Sequence, residues 1–171
     1  LTLSYPETRN HIIKALTTLV QTRFPDAECI IGTATAGIPH AALVADRMNL
    51  PMGYVRSSSK SHGRNNQIEG HILPGTKLVV IEDLISTGGS SVQVVNTLRE
   101  AGFIVEGVAA IFSYNLEKAT SNFATINTPY YVITNFDILL DVALEMNYIK
   151  PNELTKLKKW KKDPTDSSWM K

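Results

Sequence analysis

Two adjacent carboxylates, Glu82 and Asp83, follow the apolar run Val79-Val80-Ile81 and precede Leu84-Ile85-Ser86-Thr87-Gly88-Gly89-Ser90-Ser91. Gly88 and Gly89 allow the backbone to approach a ligand closely. Ser86, Thr87, Ser90 and Ser91 offer hydroxyl donors. A helix beginning directly after the glycines would add backbone N–H groups with no partner inside the helix. Together these form a phosphate cradle. The helix end alone favours an anion by about 0.3–1 kcal/mol when exposed. Carboxylates beside a phosphate cradle repel phosphate, unless the same ligand carries vicinal hydroxyls for them to accept. A ribose 5-phosphate has that shape. Glu82 and Asp83 would also favour positive charge developing on the sugar ring, as in an oxocarbenium-like transition state. No Gly-Lys-Ser/Thr follows the glycines, so this is not a Walker A loop.

A second group of reactive types lies in Val55-Arg56-Ser57-Ser58-Ser59-Lys60-Ser61-His62-Gly63-Arg64, closing at Gln67-Ile68-Glu69-Gly70. Arg56, Lys60, His62 and Arg64 collect positive charge with no acid before Glu69. A polar loop of this length inside a compact domain is expected to be a lid or a disordered segment. Its charge suits a pyrophosphate, and closure would exclude water and strengthen each ion pair. The unperturbed pKa of His62, near ~6.5, would let it charge when phosphate arrives. A third stretch, Gly32-Thr33-Ala34-Thr35-Ala36-Gly37-Ile38-Pro39, links a strand to a helix with residues small enough for close backbone approach. It lacks the spacing of a dinucleotide fingerprint.

The elements that must hold these segments alternate along the chain. Ser4 and Glu7 have the spacing of a capping box, with Pro6 in the first turn of a helix that runs to Pro25. Strands are expected at Cys29–Ile31, Met52–Val55, Lys77–Ile81, Val105–Phe112 and Tyr130–Ile133. Helices are expected over Gly37–Met48, behind the Val92, Val95 and Leu98 stripe as far as Gly102, and over Leu116–Ala124 and Ile138–Met146. This alternation predicts an α/β fold: one mainly parallel twisted sheet flanked by helices, in a single domain spanning 1–171. Ligands of such sheets bind beyond the carboxyl ends of the strands, where the acidic pair falls.

The acidic segment resembles the phosphoribosyl pyrophosphate signature of the type I phosphoribosyltransferases, an apolar strand with two acids and a Thr-Gly-Gly loop. By that resemblance Glu82 and Asp83 bind the ribose hydroxyls, and Leu84, Ile85, Ser86, Thr87, Gly88, Gly89 and Ser90 bind the 5-phosphate. The basic loop, Arg-Ser-x-x-Lys-x-His-Gly followed by Gln-Ile-Glu-Gly, resembles the catalytic loop of the orotate phosphoribosyltransferases. The resemblance implies pyrophosphate contacts from Arg56, Lys60 and His62, with the loop reaching into the partner subunit of a homodimer. It also implies magnesium carried by the pyrophosphate, and Ser86 as a donor to the orotate carboxylate. Some members place a second lysine where Ser57 stands here, and others a lysine at the position of Ala36. Tyr114 would either stack on the base or pack as a half-buried aromatic. Members usually open with a hood segment over the base, and Leu1–Pro6 resembles sequence found just after it. The hood is therefore expected to be truncated, leaving the orotate site incomplete and the sugar-phosphate site intact.

With 17 Lys and Arg against 16 Asp and Glu, the balance points to neither nucleic acid nor an acidic partner. The lone Cys29 allows no intrachain disulfide or multi-cysteine zinc site, which fits a reducing, cytoplasmic setting. No apolar run is long enough for a bilayer. His11, His40 and His71 share no metal-ligand spacing, so no protein-held metal is expected. The lysine-rich run around Trp160, within a C-terminal helix and tail at 151–171, reads as a solvated face. Two alternatives stay open. One is a non-catalytic regulator sensing phosphoribosyl pyrophosphate, and the other is a transferase for a different nucleobase.

Overall fold

The computed structural model describes residues 2–56 and 67–166. Lys60 and His62 lie outside the described residues, as do Arg64 and the tail beyond 166. A short 3-10 turn, Thr2–Ser4, precedes helix α1 (Pro6–Arg23), and β1 (Cys29–Thr33) leads into α2 (Gly37–Met48). Next come β2 (Met52–Val55), β3 (Ile68–Glu69), β4 (Lys77–Ile85), α3 (Gly89–Glu100) and β5 (Ile104–Ser113). The chain continues through α4 (Glu117–Thr125), β6 (Tyr130–Asn135), α5 (Phe136–Glu145) and α6 (Pro151–Lys162).

The strands form one sheet in the order β3-β2-β1-β4-β5-β6. All neighbours are parallel except the short antiparallel β2–β3 pair. From β1 the chain winds one way to β2, and from β4 it winds the other way to β5 and β6. The strand order therefore reverses between β1 and β4, which opens a crevice beyond their carboxyl ends. The register brings Gly32 opposite Ile81 and Thr33 opposite Val55, so β1 and β2 end together at that crevice while β4 continues past them.

The central strands are buried on both faces, as a parallel sheet requires. Leu78 and Val80 face one way and pack with Val95, Leu98, Ala119 and Phe123 of α3 and α4. Val79 and Ile81 face the other way, against Ile13, Leu16 and Val20 of α1 and Ala41, Val44 and Ala45 of α2. Both packed layers end just beneath the crevice, so the residues at the strand ends stand on a close-packed base.

Several boundaries differ from expectation. The capping box at Ser4 does not form: Tyr5 takes the N-cap position of α1 with no side-chain bond, and Ser4 belongs to the 3-10 turn. Side chains cap later helices instead: at α5 Asn135 Oδ1 accepts from the amides of Asp137 and Ile138, both at 3.1 Å, and at α6 Glu153 Oε2 accepts from the Lys150 amide at 2.7 Å. Strand β4 does not stop before the acids. It runs through them to Ile85, because β5 continues to pair beside it, Glu82 with Ala110 and Ile85 with Ser113. Tyr114 packs edge-on against Phe112 and Trp160 and lies against Phe136, which accounts for it as an aromatic of the packing. The same cluster docks α6 on the sheet end, aided by Lys161 Nζ at 2.6 Å from Asp137. That pairing, with the partly buried Trp160, gives the lysine-rich helix a packed side as well as a solvated one.

Candidate active site at the strand switch point

A cavity of about 190 Å³ occupies the crevice, lined by Thr33 at the end of β1 and Ala34 to Ala36 after it, by Val55 and Arg56 at the end of β2, and by Gln67. Its other wall comes from Glu82 and Asp83 on β4 and from Ser90, Gln93, Val94 and Thr97 on α3. Of the residues singled out by sequence, the cavity thus gathers Arg56, Glu82, Asp83 and Ser90. Leu84 through Gly89 lie outside its lining. Leu84 is exposed, and the Ile85 side chain is buried in the core, its carbonyl accepting from the amide of Tyr114 at 3.0 Å. Ser86 is exposed at the turn that carries the chain into α3.

The two carboxylates sit in unlike surroundings. Glu82 is only 6 % exposed, and both its oxygens already accept from hydroxyls. Thr33 Oγ1 lies 2.7 Å from Oε1, and Ser91 Oγ lies 3.1 Å from Oε2. The amide of Asp83 also donates to Oε1, at 3.2 Å. Burial raises the Glu82 carboxyl to about 7, opposed by the Thr33 hydroxyl and reinforced by the hydrogen bond and charge of the neighbouring Asp83. Two close carboxyls of this kind resist double ionisation. Asp83 is half-buried, the member of the pair more open to solvent. Each carboxylate oxygen has two lone pairs, so Glu82 retains capacity for a further donor.

The loop before α3 has the geometry that the glycines suggested. Gly88 holds φ +75° at the N-cap, and no side chain caps the helix. The amide of Val92 makes the first helical bond to the Gly88 carbonyl, at 2.9 Å, which leaves the earlier amides of the turn for an anion. A β-carbon at Gly88 would come within 2.9 Å of Phe123 Cε2, in a ring that is itself stacked on Tyr130. Asn122 Nδ2 supports the loop from outside, donating to the Thr87 carbonyl at 2.9 Å. Gly88→Ala is therefore expected to strain the left-handed residue by about 1–2 kcal/mol, before any clash with Phe123. A melting curve should fall by several degrees, and calorimetric affinity for a phosphorylated ligand should drop with it. An unchanged melting temperature would contradict this account of the turn.

On the opposite side, a β-carbon at Gly37 would collide with Thr33 Oγ1 and with the Ile81 carbonyl, at 2.5 Å from the latter. Helix α2 can thus begin tight against the strand ends only because residue 37 has no side chain. The peptide between Ala34 and Thr35 is cis. Arg56 is held at the cavity mouth by Glu69 of β3, at 3.5 Å. His40 on α2 is buried and its Nδ1 has no hydrogen-bond partner. Burial lowers its pKa, against the charge of Asp83.

Sequence reasoning missed Thr33 and Ser91 as partners of Glu82, and missed the polar face of α3. The signal for that face was present: Ser90, Gln93 and Thr97 recur at helical spacing opposite the apolar stripe. Among the described residues, no three His, Cys, Asp or Glu side chains are grouped to hold a metal ion.

An acidic pair between two strand-to-helix loops, at the switch point of a mostly parallel sheet, is the arrangement of a phosphoribosyltransferase. A phosphoribosyl transferase domain model matches residues 5–135. An orotate phosphoribosyltransferase of Bacillus pumilus is 59% identical over 170 residues, covering 99% of this chain and 80% of that protein. The corresponding protein of Bacillus subtilis is 54% identical over 171 residues, covering 100% and 79%. Among solved structures, orotate phosphoribosyltransferase from Aeropyrum pernix superposes with a TM-score of 0.77 at 26% identity, over 87% of this chain and 81% of that one. This chain belongs to the phosphoribosyltransferase family, and within it to the orotate phosphoribosyltransferases, which are glycosyltransferases.

Proposed function

We propose that this chain transfers the phosphoribosyl group of phosphoribosyl pyrophosphate to orotate, giving orotidine 5′-phosphate and pyrophosphate in pyrimidine synthesis. The observation that carries the reading is the shared cavity, in which Glu82, Asp83 and Ser90 face Thr33 to Ala36 and Arg56. That spacing suits one ligand with a ribose in the middle and phosphates at both ends.

In this reading Asp83 and Glu82 orient the ribose hydroxyls, and Leu84, Ile85, Ser86, Thr87, Gly88, Gly89 and Ser90 wrap the 5-phosphate. Ile85 contributes backbone only, since its side chain is core. Ser86 donates to the orotate carboxylate. A ring nitrogen of orotate forms the new bond to the anomeric carbon as the bond to the pyrophosphate oxygen breaks. The electron pair leaves with pyrophosphate, and the proton of that nitrogen passes to solvent or to the departing pyrophosphate. Positive charge on the sugar ring is offset by the acidic pair, and negative charge on the leaving group by Arg56, Lys60 and His62. No protein nucleophile is needed, because positioning and electrostatics supply the rate. Magnesium would come with the pyrophosphate and neutralise part of its charge, and because magnesium keeps much of its water shell it would need few ligands from the protein. The basic loop acts across a homodimer interface. Its partners are these small molecules in the cytoplasm, with no nucleic acid or membrane. Among the described residues no helix is long and apolar enough to cross a membrane.

Lys60→Ala tests the leaving-group assignment. Its charge is needed most as the bond breaks, so kcat should fall by about a hundredfold with KM for phosphoribosyl pyrophosphate changed far less. Steady-state kinetics that raise KM while leaving kcat intact would remove Lys60 from the transition state.

A further inference from the structure

We infer that Thr33 and Ser91 are positioning residues for the transfer: their hydroxyls fix the Glu82 carboxyl between the loop after β1 and the first turn of α3. This rests on the acidic pair being the ribose site. Thr33 lies outside the acid-and-glycine segment, and Ser91 at its end turns its hydroxyl to Glu82; both are nearly inaccessible, Thr33 at 4 % and Ser91 at 1 %. A buried hydroxyl needs a partner, and each of these has Glu82.

The geometry serves both protonation states of the carboxyl. Thr33 Oγ1 lies 2.7 Å from Glu82 Oε1 and 3.2 Å from the Ile81 carbonyl. A hydroxyl carries one proton and can accept another. With Glu82 ionised, Thr33 donates to the carboxylate. With Glu82 protonated, the acid donates to Thr33, and Thr33 turns its proton to Ile81. The carboxyl therefore keeps its place while its charge changes. The same contacts bind two separate loops to one group: Thr33 opens the Ala34–Ala36 turn, and Ser91 stands in the first turn of α3 behind Gly88 and Gly89. A shift at either loop is transmitted to the ribose acid, and through it to the other loop. Gly37 closes the arrangement, since any β-carbon there would displace the Thr33 hydroxyl. Of the charged groups nearby, Asp83 acts on Glu82 directly, while His40 of α2 interacts with Asp83 and Arg56 lines the same cavity.

The test compares Thr33→Val, Thr33→Ser, Ser91→Ala and Glu82→Gln by steady-state kinetics across pH. Thr33→Val and Ser91→Ala should each lower kcat by about tenfold, with KM for phosphoribosyl pyrophosphate within about threefold. Thr33→Ser should restore most of the loss. In Thr33→Val the acid limb of kcat/KM should move to higher pH than in the unsubstituted chain, because a donor favouring the carboxylate is gone. A purely structural role would leave that limb in place. An unmoved limb, or a loss that serine does not restore, overturns the proposal. If Glu82→Gln is impaired while Thr33→Val and Ser91→Ala remain fully active, only the positioning role fails. If Glu82→Gln itself keeps full activity, the ribose-site reading fails with it.

Discussion

Asp83→Ala is expected to lower kcat/KM for phosphoribosyl pyrophosphate by about 10²–10³, the loss typical of removing one electrostatic contact to a transition state. Asp83 is the more open carboxylate of the pair and lines the cavity. Its removal deletes a negative charge where the sugar ring becomes positive, without opening a hole in the core. The melting temperature should hold or rise slightly, because a like charge beside Glu82 has been taken away. Kinetics and melting curves on one preparation separate these effects. A large fall in stability together with activity would mean that Asp83 supports the fold instead.

Glu82→Gln should show the opposite trade at the buried acid: lower activity and higher stability at alkaline pH. The folded protein holds the Glu82 proton up to about 7, whereas an unfolded carboxyl near 4.5 has already lost it. The folded state therefore binds more protons across that window, and stability falls as pH rises through it. The slope is at most about 1.4 kcal/mol per pH unit, so the cost above neutrality is on the order of 3 kcal/mol. Glutamine keeps the shape and can both accept from and donate to the Thr33 and Ser91 hydroxyls without charge. Melting curves should therefore coincide with the parent near pH 4.5 and exceed it by several degrees near pH 8. Turnover should fall by roughly a hundredfold as the carboxylate is lost. A stability gap independent of pH would contradict the buried-acid account.

The parts of this fold legible in the sequence were those written in local periodicity. The β4 run, the Val92-Val95-Leu98 stripe and the glycines at 88 and 89 each state their structure within a few residues, and the structure agrees with them. The fold class followed from their alternation. What was not legible depends on residues far apart in the chain. The end of β4 is set by its pairing with β5, so the strand runs four residues past the apolar segment that announced it. The Tyr5 cap and the failed Ser4 box depend on how the 3-10 turn folds before α1. Thr33 and Glu82 are 49 positions apart, and no spacing rule links them. The contrast between the two acids is likewise invisible in the pair Glu82-Asp83, because burial by α2 and α3 creates it.

The most direct test of the central claim is the initial rate of orotate absorbance loss with phosphoribosyl pyrophosphate and magnesium. Uracil, adenine and hypoxanthine would be run in parallel. With the full-length protein, orotate alone should be consumed, in a reaction dependent on phosphoribosyl pyrophosphate and suppressed in Asp83→Ala. Consumption of another base, or retention of full orotate turnover in Asp83→Ala, would contradict it.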